Sequence, residues 1–441
     1  MIADIPLDAV ETLDREALEA LQHRKLAHLL RLAKERSPFY ARHLQGVDLD
    51  GAWSLETVPM LTKELLIAHS PPESTELLTA ELASAYVFRS GGTTGSPKFS
   101  PFSFDEVRRI TGMFLRTYGA AGLRPTDRVA NLFAAGSLYA SFVFINRLLE
   151  EMGCLSFPFT GNAPAEVVGR HMELFPINTL VGFPTWLLEV VQRLSPEAQA
   201  KIEKIFYAGE HLYPEEQAYL HEHLPNLQVL ASAGYGAVDT GIMGFQCQHS
   251  TGSVHHVHGD QVLFEIVDPA TMRPVTGEEE GVLLITTLDR FLMPVIRYAI
   301  GDRARWVEAP CACGRTLPRF ALLGRNDDLR IGYATVASDE VMRAVGEHAA
   351  LTSTVQMIKE REDMRDRLIV QAEARTEFAG DRETLASDLK ASIFRHKPDL
   401  YKLVQTGHVH DVTVQVLSLG EIPRMPVTGK VRRTVDRTLD S

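Results

Sequence analysis

Residues 90–98 read Ser90-Gly91-Gly92-Thr93-Thr94-Gly95-Ser96-Pro97-Lys98 and follow the apolar run 85–88. Glycines let backbone N–H groups approach phosphate oxygens, and the hydroxyls and the lysine ammonium supply further donors. The order does not fit Gly-x4-Gly-Lys-Ser/Thr, which excludes the phosphate loop of kinases. A flexible Gly/Thr turn is the alternative interpretation of such a cluster.

On both sides of this segment, short apolar or β-branched runs alternate with longer helical patterns between about residues 86 and 350. Examples of the short runs are 129–133, 179–181 and 281–285. This alternation predicts a layered α/β domain. Residues 261–302, including the run 294–298, look strand-rich with tight turns, which predicts a second, antiparallel sheet or barrel.

The two ends of the chain have different patterns. Leucines recur at helical spacing from Glu11 to Lys34 and predict one amphipathic helix or a pair of them. Beyond Arg325 the pattern becomes charged α+β, which places a domain boundary near Asp327. We therefore expect an α/β protein: a large N-terminal domain over residues 1–325 with layered sheets and a small strand-rich subdomain, and a small α+β C-terminal domain over residues 326–441.

Composition limits the partners. The chain has 45 Lys+Arg against 57 Asp+Glu, a formal charge of −12 spread along its length. That balance argues against nucleic acid and acidic membranes as partners. The N-terminus lacks a signal-peptide pattern and no apolar stretch approaches membrane-spanning length, so we expect a soluble cytoplasmic protein, either monomer or homodimer. Four cysteines in 441 residues argue against a disulfide framework.

The residue order of segment 90–98 resembles the signature loop of the adenylate-forming superfamily, which includes acyl- and aryl-CoA synthetases, luciferases and peptide-synthetase adenylation domains. In that family the loop grips the phosphates of ATP. The resemblance therefore implies phosphate contacts from the following residues, with Thr94 also counted as catalytic: Ser90, Gly91, Gly92, Thr93, Thr94, Gly95 and Lys98.

Two further segments resemble family motifs. Residues 234–239 are similar to a Tyr-Gly-x-Thr-Glu motif, which implies that Tyr235, between Gly234 and Gly236, stacks on adenine. The same motif implies that Asp239 helps to hold Mg²⁺. Its carboxylate is one methylene shorter than the usual Glu. The segment with Gly209 and Glu210 resembles one that lines the adenine and acyl pocket.

The match continues towards the C-terminus. Residues 297–302 resemble a segment whose aspartate, here Asp302, accepts from both ribose hydroxyls. Residues 324–328 resemble the family's hinge, with Arg325 near the ribose and Asp327 as the pivot of a mobile C-terminal lid. Residues 426–431 resemble the tract that carries the catalytic lysine, here Lys430.

Segments 30–40, 58–65 and 293–298 resemble the phenylacetate-CoA ligase branch of this superfamily. The resemblance implies that the chain activates a carboxylic acid, predicted to be aromatic, with ATP and Mg²⁺ as its acyl adenylate. Coenzyme A is the expected acceptor. Residues 328–334 depart from the branch's usual pattern, which leaves an amine or a carrier-protein thiol as the alternative acceptor. A catalytically inactive nucleotide-binding homologue is the other hypothesis, and retention of Lys430 and Asp302 argues against it.

The resemblance also implies which residues line the acyl pocket. Small and aromatic side chains at these positions would accept a flat ring, although they are also typical of an ordinary core. The predicted pocket residues are Leu138, Tyr139, Phe142, Phe183, Pro184, Ala208 and Ala233.

Three of the four cysteines form a second constellation. Cys247 precedes a His-rich stretch, and Cys311 and Cys313 lie in a Cys-x-Cys-Gly turn that can present two sulfurs. Thiolate and imidazole suit tetrahedral zinc, whereas the spacing does not match Cys-x2-Cys, so incidental thiols are the alternative. Related sequences often carry a comparable set, which favours a structural Zn²⁺ bound by Cys247, a histidine near His256, Cys311 and Cys313. Cys154, inside an apolar run, is expected to be a core residue.

Overall fold

The computed structural model describes residues 9–51, 53–90, 98–161, 163–209, 212, 214–325, 329–332, 334–363, 365–424 and 431–439. The chain divides into two compact units. The first unit is Met1–His211 with Leu224–Gly324, and the second is Leu212–His223 with Arg325–Ser441. The predicted boundary residue, Asp327, lies outside the described residues.

Twelve α-helices occur within the described ranges. Their bounds are α1 (Arg15–Arg36), α2 (Pro38–His43), α3 (Lys63–His69), α4 (Phe104–Ala121), α5 (Ala140–Met152), α6 (Ala165–Leu174), α7 (Pro184–Gln192), α8 (Pro196–Gln199), α9 (Pro214–His223), α10 (Ser338–Gly346), α11 (Arg382–His396) and α12 (Pro398–Gln405).

Twenty β-strands occur within the same ranges. Their bounds are β1 (Ala85–Arg89), β2 (Phe99–Ser103), β3 (Arg128–Leu132), β4 (Leu155–Pro158), β5 (Thr179–Gly182), β6 (Lys204–Tyr207), β7 (Val229–Ser232), β8 (Tyr235–Ala237), β9 (Gly241–Phe245), β10 (Val254–Val257), β11 (Val262–Val267), β12 (Glu280–Thr287), β13 (Tyr298–Trp306), β14 (Arg319–Arg325), β15 (Leu329–Ile331), β16 (Ala334–Val336), β17 (Leu351–Glu362), β18 (Arg365–Ala374), β19 (Thr413–Leu417) and β20 (Thr434–Asp436).

A five-stranded parallel sheet in the first unit has the order β4-β3-β5-β6-β7. Helices connect its strands, and every residue of β5 is buried, as expected for a parallel sheet covered on both faces. Val181, Phe206 and Ala231 lie side by side across β5, β6 and β7. The predicted α/β layering is confirmed, and the carboxyl ends of these strands meet at one edge of the sheet.

The second sheet of this unit has seven strands in the order β11-β12-β13-β14-β10-β9-β8. Its β11–β12 and β12–β13 pairs are antiparallel, as the strand-rich pattern predicted. The expectation of extended strand over 294–298 is wrong, because β13 begins only at Tyr298 and Arg297 has a positive φ of 47°. Arg297 is buried there and makes a two-nitrogen ion pair with Glu265.

Arg297 also fastens the N-terminal segment to this sheet. Its guanidinium donates to the carbonyl oxygens of Glu56 and Val58 at 3.2 and 2.7 Å. Leu61 forms a parallel bridge to Tyr298. The predicted N-terminal helix is one long helix, α1, whose N-cap Asp14 accepts from the Ala17 N–H. The buried apolar residues between Leu26 and Leu61 are therefore part of the same core as the sheet.

The second unit contains a four-stranded sheet of order β19-β18-β17-β20 together with the β15–β16 hairpin. β17 and β18 pair antiparallel, whereas β18–β19 and β17–β20 are parallel. Leu389 and Ile393 of α11 are buried in its hydrophobic core. Helix α9 belongs to this unit, and its buried Glu216 is hydrogen bonded to Ser353 of β17.

Among the described helices, none combines the length and apolarity that crossing a bilayer requires.

Candidate active site and metal cluster

The predicted phosphate loop connects the two strands of a hairpin, β1 and β2. Its ends are held together, because the Ser90 N–H donates to the Lys98 carbonyl oxygen at 2.8 Å. The Lys98 N–H donates in turn to Ser90 Oγ at 2.9 Å. The remaining predicted contacts of this loop lie outside the described residues: Gly91, Gly92, Thr93, Thr94 and Gly95. The described ends therefore anchor the loop on a two-stranded ribbon.

Lys98 meets Asp239, which lies 141 positions later in the sequence. The Lys98 ammonium forms an ion pair with the Asp239 carboxylate and donates to the Tyr298 hydroxyl at 3.0 Å. Burial alone would lower the pKa of Lys98, but Asp239 and Tyr298 outweigh it and raise that pKa. The fold thus joins the end of the predicted phosphate loop to the predicted Mg²⁺ ligand.

Asp239 lies in the tight connection between β8 and β9, and its side chain is fully buried. Only Oδ2 is paired; the Oδ1 oxygen has no hydrogen-bond partner among the described residues. An unpaired buried carboxylate oxygen is costly, so it marks a position prepared for a cation or a donor. A side chain at Gly236 of β8 would meet the Gly241 carbonyl oxygen at 2.6 Å, which explains glycine beside this connection.

Tyr235 and Asp302 also come together, although 67 positions separate them. The Tyr235 hydroxyl donates to Asp302 Oδ2 at 2.5 Å. The Tyr235 ring packs at an angle against Phe264 and Phe320, with 8% of the residue exposed. Asp302 is therefore held in place by the residue predicted to contact adenine.

The other predicted nucleotide residues are distributed as follows. Gly209 and Gly234 both have positive φ angles, of 78° and 113°, which favour glycine. Arg325 ends β14. Glu210 and Lys430 lie outside the described residues, so the structure leaves their predicted roles untested.

Most of the predicted acyl-pocket residues belong to one apolar cluster. Phe183, Ala208 and Ala233 each follow the carboxyl end of β5, β6 or β7, and Pro184 begins α7. Tyr139 and Phe142 come from the N-cap and first turn of α5 and pack against the same cluster. The cluster is thus built at the edge of the parallel sheet where ligands of open α/β sheets bind.

Leu138 differs from the other predicted pocket residues. It is 49% exposed and lies outside the cluster. Gly136, Ser137 and Leu138 have successive positive φ values of 82°, 46° and 65°. Two consecutive non-glycine residues in this region are strained, and such strain concentrates at binding sites.

Asn131 is a polar residue buried in β3 beneath this cluster. Its Oδ1 accepts from the Phe133 N–H at 3.2 Å, and its Nδ2 donates to the Phe142 carbonyl oxygen at 3.4 Å and to Asn146 Oδ1 at 3.0 Å. The two bonds from Nδ2 tie the end of β3 to α5. Asn131 therefore fixes the helix that carries Tyr139 and Phe142.

The predicted zinc ligands converge in a second site of the same unit. Ligand atoms of Cys247, His256, Cys311 and Cys313 all lie within 4.8 Å of one another. The thiols of Cys311 and Cys313 come from one turn. This turn is closed by a hydrogen bond from the Gly314 N–H to the Cys311 carbonyl oxygen at 3.2 Å. Gly314 has a φ of 79°, which explains the glycine of the Cys-x-Cys-Gly sequence.

The distances in this cluster fit a tetrahedral metal site. Sγ of Cys247 lies 3.6 Å from Sγ of Cys311, and Sγ of Cys313 lies 3.5 Å from Nε2 of His256. Tetrahedral zinc with bonds of about 2.3 Å to sulfur and 2.0 Å to nitrogen separates its ligands by about 3.5 to 3.8 Å. Burial lowers the pKa of His256 to about 4, so the imidazole is neutral at neutral pH. The donor set therefore suits zinc.

Comparisons with known proteins find relatives that match nearly the whole chain. The chain is 28% identical to a phenylacetate-coenzyme A ligase of Thermus thermophilus, with 97% of this chain and 98% of that protein covered. It is 24% identical to a phenylacetate-coenzyme A ligase of Escherichia coli, with 99% and 98% covered. A scan against models of protein families matches none.

Solved structures support the fold. A 2-hydroxyisobutyryl-CoA ligase in complex with 2-HIB-AMP superposes with a TM-score of 0.81 at 21% identity, over 98% of this chain and 94% of that one. The acyl acid amido synthetase AtGH3.15 superposes with a TM-score of 0.70 at 14% identity, over 93% and 88%. The chain is thus similar to phenylacetate-coenzyme A ligases over nearly its whole length, and it has the fold of a CoA ligase that forms an acyl adenylate.

Sequence reasoning missed three functional candidates of this adenylate-forming fold. Tyr298 completes the Lys98–Asp239 contact; it lies within the motif-like segment 297–302, but that motif gave it no role, because its partners are far away in sequence. Asn131 could have been found, since an Asn inside the apolar run 129–133 is unusual for a buried strand. Arg290, fully buried and stacked on Phe102 at 3.9 Å, has no sequence signal either.

Proposed function

We propose that this protein is an acid–thiol ligase that activates a carboxylic acid with ATP and transfers the acyl group to coenzyme A, releasing AMP and pyrophosphate. The observation that carries this proposal is the meeting of Lys98 and Asp239, which joins the predicted phosphate loop to the predicted metal ligand. Similarity to phenylacetate-coenzyme A ligases over nearly the whole chain supports an aromatic acid as substrate.

In the first half-reaction, the substrate carboxylate attacks the α-phosphorus of ATP and pyrophosphate leaves. Asp302, held by the Tyr235 hydroxyl, accepts from the ribose hydroxyls and positions the nucleotide. The loop 90–98 contacts the phosphates, and Lys430 offsets the charge that grows in the transition state. Positioning and electrostatics supply most of the acceleration.

The unpaired Oδ1 of Asp239 is suited to bind Mg²⁺. Bound there, the ion would supply positive charge to the phosphate oxygens. Lys98 keeps the buried Asp239 carboxylate paired in its absence, which avoids the cost of an isolated charge.

In the second half-reaction, we propose that the C-terminal region pivots at Asp327, withdraws Lys430 and admits the thiol of coenzyme A. The thiol attacks the carbonyl carbon of the adenylate, AMP leaves, and the thiol proton passes to solvent. An amine or a carrier-protein thiol is the second candidate acceptor. The altered sequence 328–334 and the fold similarity to an acyl acid amido synthetase favour it.

We further propose that Cys247, His256, Cys311 and Cys313 bind a structural zinc ion, in a cytoplasmic protein whose thiols stay reduced. Four protein ligands leave no open position, so zinc would hold the β9–β10 region to the turn at 311–314 and take no part in catalysis.

The proposed function is tested by pyrophosphate release from ATP with a panel of aromatic and aliphatic acids. We expect release with at least one aromatic acid, and hydroxamate formation when hydroxylamine replaces the thiol. Coenzyme A and amines are then compared as acceptors. A purified, nucleotide-binding protein that releases no pyrophosphate with any acid would favour the inactive homologue instead.

A further inference from the structure

Tyr118 of α4 carries a hydroxyl for which the structure offers no role. The residue is completely buried, and its oxygen has no hydrogen-bond partner within the described ranges. Burial raises the pKa of this hydroxyl well above its usual value, so it remains protonated. A buried unpaired hydroxyl destabilises the folded state, and each such group in a folded protein calls for an explanation.

The position of the ring places Tyr118 beneath the predicted acyl pocket. Its centroid lies 5.1 Å from that of Phe206, the residue aligned with Val181 and Ala231 across the parallel sheet. The pocket residues Phe183, Ala208 and Ala233 come two positions later on the same three chain segments. Because side chains two positions apart share a face, these pocket residues form the next row, about 6.6 Å towards the carboxyl ends.

The direction of α4 indicates where the hydroxyl points. Lys204, the first residue of β6, donates from Nζ to the carbonyl oxygen of Gly122, which directly follows α4. The C-terminal end of α4 therefore lies beside the amino ends of the strands. Helical side chains lean towards the N-terminus of their helix, so the Tyr118 phenol leans towards the carboxyl ends, where the pocket residues lie.

We propose that the Tyr118 hydroxyl is a specificity-determining group at the floor of the acyl pocket, where it hydrogen bonds a polar group on the acid, at the end remote from the carboxylate. This inference rests on the proposed function. It identifies the substrate class as aromatic acids with a hydroxyl or carbonyl substituent on the ring, in preference to the plain hydrocarbon ring. Packing of Tyr118 on Phe206 and Phe114 fixes the ring and hence the position of its oxygen.

The physical consequence is an asymmetric preference. A pocket that hydrogen bonds a substrate hydroxyl rejects the analogue without it, because the protein group is then left unpaired. Replacing Tyr118 by Phe removes the unpaired hydroxyl that disfavours binding of the unsubstituted acid. It also removes the hydrogen bond that favours the substituted acid. The Tyr118→Phe variant should also be at least as stable as the wild type without substrate, since the unpaired hydroxyl is gone.

The matched control is Tyr40→Phe in the same unit. Tyr40 is equally buried, but its hydroxyl donates to the Pro294 carbonyl oxygen at 3.0 Å. Its removal breaks a bond that is already made, so we expect a lower melting temperature for Tyr40→Phe and an unchanged substrate preference. The two substitutions delete the same atom and differ only in whether it had a partner.

The experiment measures kcat/KM for pyrophosphate release with matched acids: phenylacetate against 3- and 4-hydroxyphenylacetate, and benzoate against its hydroxy derivatives. We expect the wild type to prefer a hydroxylated acid, Tyr118→Phe to reduce that preference at least tenfold with an unchanged KM for ATP, and Tyr40→Phe to retain it. Melting temperatures of the three proteins are measured alongside.

Turnover with an unchanged preference in Tyr118→Phe overturns this inference and leaves the proposed function standing. A melting temperature of Tyr118→Phe that falls as far as that of Tyr40→Phe also overturns it, because the hydroxyl would then be satisfied by an internal water. Absence of pyrophosphate release with every acid defeats the proposed function, and this inference with it.

Discussion

The Lys98–Asp239 region and the cysteine–histidine cluster are both polar sites inside the first unit, yet they are completed differently. Asp239 keeps one buried oxygen without a partner among the described residues, and Ser90 and Lys98 at the two ends of the predicted phosphate loop are hydrogen bonded to each other. The cluster instead gathers three thiols and one imidazole whose potential ligand atoms all lie within 4.8 Å of one another. The Lys98–Asp239 region is open to a ligand that binds and leaves in each catalytic cycle. The cysteine–histidine cluster has the residue composition of a permanent structural site. Substitutions in the Lys98–Asp239 region should therefore reduce the reaction rate or the affinity for ligand. Substitutions in the cysteine–histidine cluster should reduce the stability of the folded protein.

The largest effect is expected for Lys430→Ala. If this lysine contacts the transition state, adenylation should fall roughly 100- to 1,000-fold while the Kd for ATP stays within about twofold. Pyrophosphate release and equilibrium ATP binding measure the two quantities. Lys402→Ala, which removes an exposed lysine of α12, is the control. Equal rates in Lys430→Ala and the wild type would remove the assigned role.

Asp302→Ala should weaken ATP binding roughly 10- to 100-fold, because two hydrogen bonds to a charged acceptor are lost. Calorimetric titration with a nonhydrolysable ATP analogue measures this. Tyr235→Phe removes the bond that holds Asp302 but leaves the carboxylate, so its effect should be smaller. Similar affinities in Asp302→Ala and the wild type would separate Asp302 from the nucleotide site.

Removal of the proposed zinc should act on stability. We expect about one zinc per chain in protein purified without a histidine tag, and a fall in melting temperature of at least about 5 °C after chelation or in Cys311→Ser. Turnover at room temperature should stay within about twofold. Cys154→Ala is the matched control, since that thiol lies outside the cluster. Less than about one-tenth zinc per chain, with four titratable thiols, would contradict the metal assignment.

The smallest effect is expected for Asn146→Leu. This change removes one of the three bonds of Asn131 and loosens α5, which should raise the KM for the acid roughly threefold to fivefold, in line with a bond worth about 1 kcal/mol. The KM for ATP should not change. An equal rise in both constants would mean that Asn131 supports the whole unit rather than the acyl pocket.

Sequence patterns predicted much of this fold. Buried strands such as β3 and β5 lie in apolar runs of the sequence, and the four residues predicted to bind one metal ion, Cys247, His256, Cys311 and Cys313, do lie together. The roles that the motifs imply for Asp239 and Asp302 remain predictions. The prediction of a strand over 294–298 was wrong because the apolar residues of this run are buried without forming a strand. The left-handed backbone at Arg297 depends on partners far away in sequence. Long-range pairs such as Lys98 with Tyr298 leave no local signal.

The contacts of Arg297 have a consequence for how the protein is made. Its guanidinium binds carbonyl oxygens of Glu56 and Val58, 241 and 239 positions earlier in the chain. Ribosomes add about 5 to 20 residues per second, so the N-terminal segment waits roughly 12 to 50 seconds for this partner. Until then the apolar side chains of α1 have no completed core to pack against. Nascent chains of this protein should therefore depend on chaperones that shield the first sixty residues until the sheet is synthesised.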